Sequence, residues 1–249
     1  MDVFMALEAV EPRICWGGVR VRGFNRLKCG EPIDEPRIIE KTMKLISEFL
    51  NRVERHRNVL LSDSATPFND SIKALSNWPP KIEEEINEGN DETITNLRRT
   101  MLKAGKRILK LAERAREKWL KTYKQELEEL INKLKRGGEA RIIISGEPFD
   151  GNKSFIVHLY TENLAIEVAR MAKLGGITIR ITLTGLGGSR VAVPKLFGEN
   201  TLRAMRYGLL LTDGSIDKKG YPEMSTNQLW QAIAWLIAWP GRNYMCIDG

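Results

Sequence analysis

The chain has 249 residues, 42% of them hydrophobic and 29% charged, which excludes a disordered polymer and leaves room for one large domain or two ordinary ones. Lys and Arg outnumber Asp and Glu by 39 to 32, and the sequence pI near 9.3 points to polyanions as partners: nucleic acid or an anionic membrane surface. The longest apolar run, Leu229 to Trp239, is broken by Gln231 and falls far short of the ~20 residues that span a bilayer, so a cytoplasmic protein without a membrane partner is expected.

The N-terminal stretch carries Asp2 and Glu8 and has no basic segment ahead of an apolar one, so it does not read as a signal peptide. Short β-like runs such as Val19 to Arg22, punctuated by Gly17, Gly18, Gly23 and Gly30, suggest a small hairpin. Cys15, Cys29 and Cys246 lack metal-ligand spacing, and no His lies near them. A reducing compartment fits this usage, with a Cys15–Cys29 disulfide left open as the alternative that some hyperthermophile proteins adopt. Abundant Lys and Glu with only three Gln residues match a thermophile composition.

A helix is expected from Asp34 or Glu35, with Pro36 in its first turn and Ile38, Met43, Ile46, Phe49, Leu50 and Val53 on its apolar face, ending near His56. Ser62 to Pro80 reads as a loop. A much longer helix then runs from about Ile82, or from Glu92 if Gly89 and Asn90 break it, to Arg136, where Gly137 and Gly138 stop it. Its seam of Ile94, Leu97, Met101, Ala104, Ile108, Leu111 and Ala115 alternates three and four apart, as in a coiled coil. Trp119, Tyr123 and Leu127 follow at intervals of four, so the helix is expected to unwind locally there.

Beyond the glycines, Ala140 to Ile144 and Ser154 to Tyr160 read as strands, Glu162 to Leu174 as a helix capped by Thr161, and Ile177 to Leu183 as a strand. Gly185 to Gly188 reads as a hairpin turn into Val191 to Val193, which would complete a ββαββ unit. A helix from Asn200 to Thr212, a turn at Asp213–Gly214, short strands near Ile216 and Met224, a helix from Asn227 to Trp239 and a strand at Tyr244 to Ile247 complete the order. The expected class is α+β, divided as residues 1–90, a long basic helix over 91–138, and an α/β domain over 139–249 that continues beyond Gly249.

The charge is concentrated on the long helix. Arg98 to Arg136 holds fourteen cations against five acids, an excess larger than that of the whole chain, and no acid lies between Arg98 and Lys110. Arg98, Arg99, Lys103, Lys106, Arg107, Lys110, Arg114, Lys118 and Lys121 are therefore the candidate phosphate-binding residues, with DNA ahead of RNA as partner. The seam from Leu97 to Ala115 offers a homodimer contact, or an intramolecular hairpin with the Pro36–His56 helix.

The segment Arg206-Tyr-Gly-Leu-Leu-Leu-Thr-Asp-Gly-Ser-Ile216, a helix with a small residue near its middle that ends in Asp-Gly ahead of short strands, resembles the motif helix of LAGLIDADG homing endonucleases. The resemblance covers Arg206 to Gly249. It implies that Gly208 packs helix against helix, that Asp213 holds a catalytic Mg²⁺ over a DNA phosphate, and that Gly214 ends the helix in a left-handed conformation. Leu211 and Thr212 depart from the pattern, and no second motif helix is visible, so activity would need a homodimer or residues beyond Gly249. The wording of Tyr207 to Ser215 with Tyr221-Pro222 and Gln228 to Ala232 also resembles archaeal paralogous-repeat proteins, which implies an origin in a hyperthermophilic archaeon or its mobile elements.

These observations favour a non-catalytic nucleic-acid-binding protein without a cofactor. The alternatives are a Mg²⁺-dependent endonuclease using Asp213 and a coiled-coil assembly module. Gly185 to Arg190 does not open a helix and so is not a nucleotide loop. Trp230, Trp235 and Trp239 are expected to pack against a sheet. Phe155 and Tyr160 differ in parity and cannot share a stacking face with Arg180 and Arg190. His56 and His158 stand isolated along the chain and gain no catalytic role.

Overall fold

The computed structural model describes residues 13–20, 26–87, 91–136, 140–171, 176–226 and 228–247, with the Val19, Arg20 and Asn87 side chains left out. The expected helix stop at Gly137–Gly138, the break at Gly89–Asn90, the last three residues of the helix expected over Glu162 to Leu174 and the helix start at Asn227 fall outside these residues. The chain forms two units: residues 1–67 with 116–186 and 248–249, and residues 68–115 with 187–247. The mixed α+β class is as expected: a helical N-terminal region with a 44-residue helix, then a six-stranded mixed sheet and small sheets.

In the first unit, β1 (Ile14–Arg20) and β2 (Leu27–Pro32) form the expected hairpin, and Cys15 and Cys29 form a disulfide across it, their Cα atoms 5.5 Å apart. Of the two cysteine readings the bridged one is found, because the hairpin brings the two Cα atoms inside disulfide reach. Helix α1 (Pro36–Arg55) buries Ile38, Thr42, Leu45, Ile46, Phe49 and Val53, a face slightly rotated from the expected one, with Met43 and Leu50 at its half-buried border. A short α2 (Arg57–Leu60) follows.

The segment expected as a helix, Glu162 to Leu174, contains a strand. β3 (Ile142–Gly146), β4 (Phe155–Tyr160), β5 (Leu164–Arg170) and β6 (Ile177–Leu183) form an antiparallel run, and β1 adds to β3 in parallel, giving the order β2-β1-β3-β4-β5-β6. Leu164, Ala165, Val168 and Ala169 satisfy a helical spacing, but Leu164, Ile166 and Val168 also alternate, and pairing with β4 and β6 buries all three. Thr161 does make the bond of a helix cap: its Oγ accepts from the Leu164 N–H at 2.9 Å. The Thr161 N–H donates to Leu164 O at 3.0 Å, so the same bond closes a β-turn. Among the described residues these strands form no ββαββ unit. Ile142, Ile144, Phe155, Val157, Leu159, Leu164, Ile166 and Val168 line the fully buried sheet face, and α1 packs across β4 and β5.

Ser62–Pro80, which runs from the end of the first unit's 1–67 segment into the second unit, is not one loop. It contains α3 (Asn69–Ser76) and the start of α4 (Trp78–Asn87), because Pro79 and Pro80 sit in a first turn, where a missing N–H costs nothing. Strand β7 (Gly188–Val193) pairs with β10 (Gly241–Cys246) rather than with β6, so Gly185–Gly188 is not a hairpin turn. Between them lie α7 (Glu199–Thr212), the β8 (Gly214–Ile216) and β9 (Pro222–Met224) pair, and α8 (Leu229–Ala238), in the expected order. The core joins Val191, Val193, Ile233, Leu236 and Ile237 to Ala104 of the long helix.

That helix comprises α5 (Glu92–Lys118), a π-helical turn (Trp119–Tyr123) and α6 (Lys124–Lys135). Asp91 caps it, its carboxylate accepting from the Ile94 N–H at 3.0 Å. The π turn falls where the expected unwinding lies. Apolar residues four apart drift by about 40° per step on a 3.6-residue helix, and one wider turn absorbs the drift and keeps Ala115, Trp119, Tyr123 and Leu127 all buried. Among the described residues no helix is long and apolar enough to cross a membrane.

Candidate nucleic-acid interface

The α5 cations divide by what they touch. At 100° per residue, Arg99, Lys103, Lys106, Arg107, Lys110 and Arg114 fall within an arc of about 100°, and 1.5 Å per residue spreads them over about 22 Å. All six are exposed, and the arc is turned away from buried Ala104, Leu111, Ala112 and Ala115. A helix whose apolar stripe faces a core has this opposite side as its only wet surface.

Two members of this stripe have partners on α4 or β7. Lys106 pairs with Glu83, and the Lys103 ammonium donates to the Ala192 carbonyl at 3.3 Å. Arg99, Arg107, Lys110 and Arg114 form no ion pair among the described residues. Arg98 lies outside the arc: it pairs with Glu85 at 3.2 Å and donates to the Glu85 carbonyl at 2.7 Å. The acid-free run from Arg98 to Lys110 is thus partly neutralised by a neighbouring helix, which spacing along α5 alone cannot reveal. Lys118 donates to the Gly185 carbonyl, and Lys121 pairs with Glu117 at 2.6 Å, so neither is a free phosphate ligand.

The seam has a partner within its own chain. Leu97 and Met101 pack with Ala104 against the Val191, Val193, Ile233, Leu236 and Ile237 core, which fills the N-terminal part of the surface expected to join two copies.

Asp213 sits at the C-cap of α7, and its carboxylate accepts from the Gln231 side-chain amide. Gly208 is exposed, with open space where a Cβ would stand, so it packs no helix here. Gly214 does not adopt a positive φ and begins β8; its Cα hydrogens face the Trp235 ring, which a Cβ would meet at 2.7 Å. Among the described residues no group of three or more His, Cys, Asp and Glu is placed to hold a metal. Within one chain these residues do not fit the Mg²⁺ site that the homing-endonuclease resemblance implied. Comparison with protein-family models, with curated proteins and with solved structures found no match.

Two features of the first unit escaped sequence reasoning. Glu126 of α6 accepts from Asn163 N at 2.9 Å, from Asn163 Nδ2 at 2.6 Å and from the Thr161 hydroxyl, clamping the β4–β5 turn. Partial burial pushes its carboxyl up, but these hydrogen bonds, with Arg26 nearby, outweigh burial and hold it below the ordinary value. A depressed folded-state value contributes stability above the unfolded-state pKa of about 4.3 and loses it as pH falls through the folded value. Thermal melts from pH 7 down to 3 should therefore show a loss of Tm beginning below about pH 5, and Glu126→Gln should flatten that loss. An unchanged acid profile in the variant would remove Glu126 as its source.

The second is His158, which is not isolated. It is buried on β4 between Ser145 of β3 and Glu167 of β5. The partners lie 13 and 9 residues away along the chain, on the neighbouring strands, and strand register brings them together.

Proposed function

We propose that the protein binds nucleic acid non-catalytically, through the exposed face of α5 that carries Arg99, Lys103, Lys106, Arg107, Lys110 and Arg114. The observation that supports this most is the arc itself: four of its six cations have no ion pair among the described residues, on a helix whose opposite side is buried. A salt-bridged thermophile surface interleaves both signs, whereas a one-sign stripe about 22 Å long pays electrostatic repulsion that phosphates relieve. DNA is the favoured partner, and binding is sequence-tolerant, because a row of Lys and Arg positions phosphates without reading bases.

Retention of the full chain on duplex DNA, single-stranded DNA, RNA and polyglutamate at about 50 mM salt tests this, since nonspecific affinity is highest at low salt. Retention on duplex DNA above polyglutamate is expected; preference for the acidic polypeptide would replace the reading with an assembly role. A supercoiled-plasmid assay with Mg²⁺ addresses cleavage. Wild type and Asp213→Asn should both match the no-protein background, and nicking that disappears in Asp213→Asn would restore the endonuclease reading.

A further inference from the structure

In the six-stranded sheet, Ile143, His158, Glu167 and Arg180 lie directly opposite one another on β3, β4, β5 and β6, so their side chains share one face. Ser145, two residues further along β3, points to that same face. Its Oγ is 2.8 Å from His158 Nε2, while His158 Nδ1 is 3.6 Å from Glu167 Oε1. A carboxylate beside Nδ1 favours the tautomer protonated there. Nε2 is then the acceptor and the Ser145 hydroxyl the donor.

We propose that Ser145, His158 and Glu167 form a nucleophile, base and positioning acid that open carboxylic esters and react with their organophosphorus analogues. The order is the one nucleophilic catalysis requires: a hydroxyl within hydrogen-bond reach of an imidazole that a third group orients, on any fold. The 3.6 Å contact is long, as such contacts commonly are before substrate binds. Three adjacent strands supply the three groups, so the arrangement is held by the hydrogen-bonded ladder. Ser145 is half-buried at the end of β3, where Gly146 turns the chain away at a φ of +86°; a Cβ there would stand 2.0 Å from Ser154 O.

In the reaction, Ser145 Oγ bonds to the ester carbonyl carbon as its proton passes to His158 Nε2. The carbon–alkoxide bond breaks, and the departing alkoxide takes that proton. Water then attacks the acyl carbon, giving its proton to Nε2, and Ser145 leaves with that proton as the carboxylic acid is released.

The test is covalent labelling of the full chain with a fluorophosphonate, in which an Oγ–P bond forms, the P–F bond breaks and fluoride leaves. Peptide mass mapping should place a single adduct on Ser145, absent in Ser145→Ala. The labelling rate should fall about a hundredfold or more in His158→Gln, the scale of a general base. It should fall about tenfold or more in Glu167→Gln, whose amide would donate to Nδ1 and turn the wrong tautomer toward Ser145. Because His158 is buried, its replacement can unfold the chain; Glu167 is half-exposed, so a Glu167→Gln variant with wild-type thermal melting keeps the test sharp. No adduct on Ser145 in the folded wild type, or an unchanged labelling rate in folded Glu167→Gln, would overturn the proposal. Charge reversal on α5 should leave labelling unchanged, which separates this site from the nucleic-acid reading.

Discussion

Replacing Arg99, Arg107, Lys110 and Arg114 together by Glu is expected to abolish retention on DNA at about 100 mM salt. Nonspecific binding of this kind sits near 10⁻⁴ to 10⁻⁶ M, and its affinity comes almost wholly from the phosphates neutralised. These four are the stripe members without an ion pair among the described residues, so their removal takes away free charge and breaks no pair. The four-residue Gln variant, which deletes charge without reversing it, should weaken binding by a smaller factor. Several of these cations stand three or four residues apart, where like charges repel by a few tenths of a kcal/mol, so the Gln variant should melt no lower than wild type. The decisive control reverses Lys44, Lys133, Arg136 and Arg141, four exposed cations outside the stripe. It changes net charge equally and should retain most of the affinity. Equal loss in the control would mean that bulk charge, not the stripe, does the binding.

The largest stability effect is expected at Tyr123, inside the π turn. Its ring is 1% exposed, with the Trp119 ring 6.4 Å away between centroids, and its hydroxyl donates to the Thr184 carbonyl. Burial first, and Glu126 second, push that hydroxyl above the ordinary tyrosine value, so it stays a donor throughout the neutral range. Tyr123→Ala should cost about 3–5 kcal/mol, the range for a buried aromatic that leaves a cavity. Tyr123→Phe keeps the ring and loses one hydrogen bond, which costs about 1 kcal/mol. Denaturant unfolding of both variants checks the difference: equal losses would place the stabilisation in the hydroxyl, and negligible loss in Tyr123→Ala would show that the turn is not packed as described.

The elements that could be read from the sequence are those whose own pattern decides them. The α5–α6 helix has a seam, a cap and no internal proline, and its four-residue run at Trp119, Tyr123 and Leu127 marked in advance where it unwinds, though not that the unwinding is a π turn. The α7–β8–β9–α8–β10 order was likewise legible from turn residues and periodicity. β5 was not, because Leu164 to Ala169 satisfies two periods at once and only pairing with β4 and β6 chooses between them. The pairing of β7 with β10 depends on a contact across most of the second unit, and no local signal marks it.

The candidate site divides in the same way. The stripe is a property of one helix and was visible, but the neutralisation of Arg98 by Glu85 and of Lys106 by Glu83 is interhelical and was not. Gly208 and Gly214 matched a motif in spelling, yet one faces open space and the other begins a strand, so identity at those positions did not carry geometry. The Ser145–His158–Glu167 row left no trace because a strand register, not a spacing, assembles it.

The most direct measurement of the central claim is the salt dependence of DNA affinity for wild type and for the Arg99, Arg107, Lys110 and Arg114 charge-reversal variant. With four or more phosphates neutralised, log K against log salt should have a slope of about −3.6 or steeper, a loss of roughly 150-fold between 50 and 200 mM salt. In the variant binding should vanish, or persist with a slope shallower by about one for each cation removed. A wild-type slope near zero, or a variant with the wild-type slope and affinity, would contradict the assignment of the α5 stripe as the nucleic-acid interface.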